Sequence, residues 1–117
     1  MGKLRAIAIF PNIPAENLDS FKNVAREMLE EIRKQDSILR YDLFFSEKED
    51  VCVVLEEYSS ASGVLEHVER HAHFIEKLTN LGGKIQGSMF PTGESDAALE
   101  SIKSNWDSKM HNHFGGK

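Results

Sequence analysis

The 117-residue chain has the length of one ordinary domain, and its hydrophobic fraction of 40% and charged fraction of 28% are typical of a soluble globular protein. Its formal net charge of −5 disfavours general binding to nucleic acid or to an anionic membrane surface. The sequence contains no run of about 18 apolar residues that could span a bilayer. Because the single Cys52 cannot form an internal disulfide, we expect a cytoplasmic protein.

The first three predicted elements are a strand, a helix and a strand. Residues 4–10 form a mostly aliphatic run that a Pro-Asn-Ile-Pro turn ends, which predicts a buried strand. Apolar residues then recur at helical spacing from Leu18 to Ile32, and Pro14 suits the first turn of this amphipathic helix. Residues 38–45 carry apolar side chains at alternate positions, which predicts a second strand.

The next three predicted elements are again a strand, a helical region and a strand. After a polar hairpin loop at 46–50, residues 51–58 form a third strand. Ser59 and Ser60 can cap a second helical region, whose apolar stripe extends from Val64 to Leu78 and which Gly82-Gly83 ends. Residues 84–90 form a weaker fourth strand, closed by Pro91.

The order β-α-β-β-α-β predicts an α+β protein of the ferredoxin-like kind. Both helices must cover one face of a four-stranded antiparallel sheet, because neither has another apolar surface to bury. The third strand is apolar on both of its faces at residues 51–55, so its second face also needs a cover. We therefore expect a homodimer that packs sheet against sheet into an α+β barrel.

Residues 1–92 make up this predicted domain, and residues 93–117 form a C-terminal tail of different composition. The tail is expected to be partly helical, because five of its apolar or aromatic positions fall near helical spacing: Leu99, Ile102, Trp106, Met110 and His113. Such a helix could lie over the dimer partner, over the mouth of a pocket, or frayed on the surface.

Four segments carry a resemblance to the antibiotic biosynthesis monooxygenase family: RYDL at 40–43, VVLEEY at 53–58, EHV at 66–68 and HF at 73–74. The resemblance covers roughly residues 4–90 and implies a ferredoxin-like monomer that dimerises into an α+β barrel. It also implies oxygenation of a small phenolic or quinol-like compound without a cofactor. The chain departs from the family in having Tyr58 where members often have Trp. The only Trp lies in the tail, so the Asn–Trp–His set of the haem-degrading branch is not visible.

A reaction of this type needs a general base, hydrogen-bond donors for a developing oxyanion and an apolar pocket for a ring. Histidine suits the role of base, and His67, His71 and His73 lie in one segment. On a continuous helix, His67 and His71 would be neighbours that face the sheet, with His73 turned away. If the helix breaks near Arg70, as the resemblance suggests, His73 turns inward instead. We take His67 and His73 as candidate catalytic residues and His71 as a substrate-binding candidate; each could instead be a packing or capping residue.

The remaining candidates lie on the strands and beside His73. Tyr41 and Tyr58 could donate hydrogen bonds to a substrate oxygen, with Tyr58 the catalytic candidate, or could pack in the core. One of Glu56 and Glu57 must point inward, because strand side chains alternate, and there its pKa would be raised; we assign Glu56 to the substrate site. The resemblance adds Phe74 as a substrate-binding residue.

Three functions remain open at this point. The first is a monooxygenase-like enzyme, the second a non-catalytic ligand-binding or stress-response dimer, and the third an isomerase of a small hydroxyketone. No metal site is expected, because a short run of histidines without a supporting cysteine is weak evidence for zinc. We also expect no nucleic-acid or membrane partner.

Overall fold

A computed structural model describes residues 3–117. The predicted order of elements is found, with the second helical region divided into two helices, a helix in the tail as expected, and one further strand. The strands and helices, in chain order, are β1 Leu4–Phe10, α1 Leu18–Ile32, β2 Ile38–Phe45, β3 Cys52–Tyr58, α2 Ala61–Arg70, α3 Ala72–Gly82, β4 Gln86–Pro91, α4 Ala97–Asn105 and β5 Ser108–Met110. One turn of 3-10 helix at Ala15–Asn17 precedes α1.

The sheet has five strands in the order β2-β3-β1-β4-β5. Strands β1 to β4 pair antiparallel, as predicted, but β5 lies parallel to β4 at the edge. The prediction of a four-stranded antiparallel sheet is therefore corrected to a five-stranded mixed sheet. The fifth strand could not be recognised because it has only three residues, Ser108–Met110, and no apolar run. The tail's helical spacing ends early, since α4 stops at Asn105 and Trp106 is already extended.

Two apolar clusters pack on the same face of the sheet. In the first, α1 buries Phe21, Ala25, Met28 and Ile32, which recur every three or four residues and so share one side of the helix. The second cluster lies under α2 and α4 and contains Leu4, Tyr58, Val64, Leu99 and Ile102, among others. The tail helix α4 is therefore part of the core of this fold.

The second helical region is divided at His71. This residue has φ −113° and ψ 18°, outside the helical range, and it separates α2 from α3. Hydrogen bonding continues across the bend, because the amide of His71 donates to the carbonyl of His67 and its own carbonyl accepts from Phe74 and Ile75. Helix α3 ends at Gly82, and Gly83 follows at φ 92°, as the glycine pair predicts.

The opposite face of the sheet carries apolar side chains with no cover within residues 3–117. Phe44 on β2 is 53% exposed and Leu55 on β3 is 39% exposed. Ile7, Ile9 and Val53 are half-buried beside them.

Among the helices of the described residues, none is long and apolar enough to cross a membrane.

Gly82 offers a test of the packing between α3 and the first cluster. A Cβ atom at this position would lie 2.7 Å from Cε2 of Phe21, and Phe21 is held edge-on between Phe10 and Phe45. We expect Gly82→Ala to lower the free energy of unfolding by about 1–3 kcal/mol, because overpacking outweighs the gain in helix propensity. Urea denaturation measures the change. Gly115→Ala is the matched control, since nothing lies within 4 Å of its Cβ; equal midpoints for the two variants would contradict the prediction.

Candidate functional site

A cavity of about 330 Å³ lies between the sheet and the helices. It exists because small residues occupy the inward-facing positions of the central strands. Ala6 and Ala8 on β1 stand beside Met89 and Gly87 on β4, and all four line the cavity. Side chains from the helices complete an apolar wall: Val64, Val68, Ile75 and Leu78. Most of the lining can therefore receive an apolar ligand.

Polar side chains gather at the end of the cavity below β2 and β3. Tyr41 and Glu56 are direct neighbours across the two strands, and both line the cavity with Tyr58. The strand period of two places Glu56 and Tyr58 on the same face of β3. The phenol of Tyr58 donates a hydrogen bond to Oε1 of Glu56 at 2.5 Å. Glu57, one residue away, faces the opposite side and pairs with Arg5 at 3.1 Å.

Burial changes the acidity of this polar group. Loss of water raises the pKa of Glu56 from an ordinary value of 4.5 to about 7, although the hydrogen bond from Tyr58 opposes part of the rise. Burial also raises the pKa of Tyr41 and of Tyr58, and the neighbouring Glu56 adds to both effects. Both tyrosines therefore stay protonated at neutral pH, whereas Glu56 can accept or release a proton there.

Helix α2 contributes His67 to the polar end of the cavity. Its ring centroid lies 5.1 Å from that of Tyr41 and 6.0 Å from that of Tyr58, and the residue is only 4% exposed. Burial, assisted by the neighbouring His71, lowers the pKa of His67 to about 3, so the ring is neutral at pH 7. Its Nδ1 atom is buried without a hydrogen-bond partner among the described residues.

His71 lies behind His67 and is fixed by a buried amide. The two imidazole centroids are 5.1 Å apart, and Nε2 of His71 lies 3.1 Å from Oε1 of Gln35. The amide nitrogen of Gln35 donates to Oγ of Ser37 at 2.7 Å and to the carbonyl of Gly63 at 3.1 Å. Since the amide nitrogen is committed to these acceptors, its oxygen must accept from His71, which places the imidazole proton on Nε2. Burial lowers the pKa of His71, and Arg70 acts in the same direction.

The cavity brings together four of the residues predicted from the sequence, namely Tyr41, Glu56, Tyr58 and His67. His71 contacts the group from behind. His73 and Phe74 do not line the cavity: Phe74 is buried in the first cluster and His73 is exposed. The helix does break, as one alternative required, but His73 does not turn inward.

Gln35 is a part of the site that no pattern in the sequence indicates. It is 2% exposed, yet it follows Arg33 and Lys34 in a polar segment that resembles a solvated loop. Trp106 lines the cavity together with Asn105, Asp107 and Ser108, so this part of the tail lies at a pocket, which is one of the positions that the sequence left open. Within residues 3–117, no three His, Cys, Asp or Glu side chains come together as a metal site would require.

Comparison with known proteins gives similarity of structure only. No family model matches the chain, and no curated protein matches it. The crystal structure of MupZ from Pseudomonas fluorescens has a TM-score of 0.84 at 19% identity, and the match covers 100% of this chain and 94% of MupZ.

Proteins named as antibiotic biosynthesis monooxygenases match a smaller part of the chain. One such crystal structure has a TM-score of 0.64 at 23% identity, covering 80% of this chain and 99% of that one. A Caulobacter crescentus protein, provisionally described by the same name, has a TM-score of 0.69 at 20% identity, covering 80% of this chain and 92% of that one. The chain therefore has the fold of these proteins, which confirms the predicted resemblance at the level of fold. Both matches leave about a fifth of the chain unpaired.

The raised pKa of Glu56 predicts an unusual dependence of stability on pH. Between pH 4.5 and 7 the folded protein holds a proton on Glu56 that the unfolded chain has released, so stability falls as the pH rises through this range. Glu56→Gln keeps a neutral acceptor for Tyr58 and removes this loss. We expect the variant to gain up to about 3 kcal/mol over the wild type between pH 4.5 and 7, at about 1.4 kcal/mol per pKa unit.

Urea denaturation at a series of pH values, at one protein concentration, measures this difference. Glu57→Gln on the opposite face is the matched control for loss of one negative charge, and its difference from the wild type should not follow the same curve. Parallel curves for Glu56→Gln and the wild type would contradict the raised pKa of Glu56.

Proposed function

We propose that this protein is a monooxygenase-like enzyme that uses acid–base chemistry, without a cofactor, on a small and largely apolar phenol or quinol. One observation carries the proposal: the Glu56 carboxyl, with a pKa of about 7, is hydrogen-bonded to Tyr58 at the end of an apolar cavity. A general base is most effective when its pKa is near the working pH. The fold shared with proteins named as antibiotic biosynthesis monooxygenases supports the same type of reaction.

In the proposed reaction Glu56 removes a proton from the phenolic oxygen of the substrate. The resulting anion is electron-rich and donates electrons to dioxygen. For a quinol, one oxygen atom enters the ring and the other leaves as water, while the substrate supplies all four electrons and becomes a hydroxyquinone. Carbon, hydrogen and oxygen balance without a further reductant. The protons released from the substrate pass to the departing water, with Glu56 as the carrier.

The other polar side chains form hydrogen bonds that orient the substrate and do not take up its proton. The sequence-based assignment gave the role of base to a histidine, but a pKa of about 3 makes His67 a weak proton acceptor. We assign His67 the role of a neutral hydrogen-bonding group for the substrate oxygen, oriented by His71 and Gln35 behind it. Tyr41 remains protonated and can donate to a developing oxyanion, whereas the single O–H of Tyr58 is donated to Glu56. His73 and Phe74, which lie outside the cavity, have no role in this mechanism.

A second candidate is an isomerase that moves a proton on a small apolar hydroxyketone. The observation that favours it is again Glu56, because a group with a pKa of about 7 can both remove and return a proton at neutral pH. The described residues that line the cavity include no Lys or Arg, so a phosphorylated substrate would find no cation there. Deuterium exchange into 2-hydroxyacetophenone under anaerobic conditions identifies this activity, and oxygen uptake identifies the first.

We also propose that two chains associate through the open face of the sheet. Phe44 and Leu55 are exposed there beside half-buried Ile7, Ile9 and Val53. A flat apolar face of this kind is usually covered in a stable protein, and a second copy covers it with the same residues by two-fold symmetry.

Catalysis by Glu56 predicts a specific pH profile. With 1,4-naphthohydroquinone as substrate, we expect kcat/KM for oxygen uptake to rise with pH and to level off above about 7, since only the ionised carboxylate accepts a proton. Glu56→Gln should lower kcat about 10²–10⁴-fold. Tyr58→Phe removes a hydrogen bond that lowers the pKa of Glu56, so its profile should move to higher pH.

An oxygen electrode and quinone absorbance measure these rates after subtraction of uncatalysed oxidation. Glu57→Gln is the matched control and should keep wild-type rates. If Glu56→Gln and Glu57→Gln consume oxygen equally fast, the proposed role of Glu56 is wrong.

The dimer can be tested by a charge on the open face. We expect the wild type to have twice the 13.2 kDa mass of one chain in sedimentation equilibrium at micromolar concentration. Phe44→Asp should dissociate it, because a carboxylate would be buried without a partner. Ala72→Asp, at an exposed position of α3 on the other side of the sheet, should remain dimeric. A monomeric wild type would exclude this assembly.

A further inference from the structure

Trp106 is the largest of the tail residues that line the cavity. Residues 105–108 connect α4 to β5, and all four line the cavity. Within this segment the indole ring is the only large apolar group, and Trp106 also packs against the second cluster. The side chain is partly buried, as expected for a ring with one side against the core and one side toward a space.

The position of Trp106 is fixed by the elements on either side. Its amide donates to the carbonyl of Ile102, whose side chain is fully buried under α4. On the other side, Ser108 stands beside Gly87 in the parallel pair of β5 and β4. A Cβ atom on Gly87 would lie 2.8 Å from Oγ of Ser108, so glycine at this position allows the tail to approach the sheet closely. The backbone is therefore held on both sides of Trp106, and this part of the cavity wall has a defined position.

Trp106 and Glu56 lie at opposite ends of the cavity. Glu56 is on β3, and the wall adjoins β5, which is three strands away in the order β3-β1-β4-β5. With about 4.8 Å between neighbouring strands, the two ends are about 14 Å apart along the sheet, less the length of the side chains. A single ring whose oxygen contacts Glu56 would stop short of Trp106, whereas a longer apolar molecule would reach the indole.

We propose that Trp106 contacts the substrate and sets the length of the molecule that the cavity accepts. The inference rests on the proposed function for the orientation of the ligand, with its oxygen at Glu56. The preferred ligand is an elongated apolar molecule whose far end packs on the indole, because a ligand that extends from Glu56 to Trp106 buries the most apolar surface. Asn105 and Asp107, which are exposed beside Trp106, give the far end of the site a polar rim.

The single Trp in the chain allows a direct test. Protein labelled with 5-fluorotryptophan gives one fluorine resonance, which reports on Trp106 alone. We expect 2-naphthol, which has two fused rings, to move this resonance in a saturable manner, and phenol at saturation to leave it nearly unchanged. Calorimetry measures the Kd of each probe independently. If 2-naphthol fails to bind, or binds without moving the resonance, the inference is overturned.

Variants then test the effect on length selection. Trp106→Ala should raise the Kd for 2-naphthol about tenfold or more and change that for phenol less than about twofold, because only the longer probe loses its contact. Trp106→Phe should fall between wild type and Trp106→Ala. Phe114→Ala removes a fully exposed aromatic ring from the same tail and should change neither Kd. An equal loss of affinity for both probes would overturn the inference, and the fluorine measurement does not depend on the folding of any variant.

These measurements separate this inference from the proposed reaction. If 2-naphthol shifts the fluorine resonance but Glu56→Gln does not change the rate of oxygen uptake, the role of Trp106 is supported and the proposed chemistry is excluded. If Glu56→Gln lowers the rate of oxygen uptake but 2-naphthol does not shift the resonance, the proposed chemistry is supported and the role of Trp106 is excluded.

Discussion

The hydrogen bond from Tyr58 to Glu56 is the interaction on which the geometry of the site depends. It holds a carboxyl group on the covered face of the sheet, where most neighbouring positions are apolar. The ionised carboxylate is poorly solvated there, and one neutral donor compensates for only part of the lost water. The pKa of about 7 is the result of that balance. The feature that makes Glu56 costly to bury is therefore the same one that makes it useful for proton transfer at neutral pH.

The fold can tolerate the free-energy cost of burying the Glu56 carboxyl group because two apolar clusters pack on either side of the cavity. Phe21 and Met28 under α1 are fully buried in one cluster, and Ile102 under α4 is fully buried in the other. Between them, Ala6, Ala8 and Gly87 leave room that larger side chains would fill. A cavity lowers stability, because its lining loses van der Waals contacts. Small residues at the centre of an otherwise well-packed sheet therefore indicate a space for a ligand.

The sequence predicted the parts of the fold that depend on local patterns. Strand alternation and helical spacing located the four main strands, and alternation required one of Glu56 and Glu57 to point inward; the pairing of Tyr41 with Glu56 depends on the register between β2 and β3, which the sequence does not show. The remainder depends on contacts between distant residues. Gln35 reaches His71 only because the end of α1 approaches the bend between α2 and α3. His73 points outward because Phe74, the next residue, takes the inward position on α3. Neither direction can be read from spacing when a helix bends without Pro or Gly at the bend.

The tail forms one side of the cavity, three strands away from Glu56. Residues 105–108 line the side of the cavity next to β5, and α4 anchors them with Leu99 and Ile102 in the second cluster. The raised pKa of Glu56 comes chiefly from burial, so it depends on the side chains packed around the carboxyl group and not on Tyr58 alone. The proposed roles of Trp106 in substrate selection and of Glu56 in proton transfer thus belong to segments three strands apart.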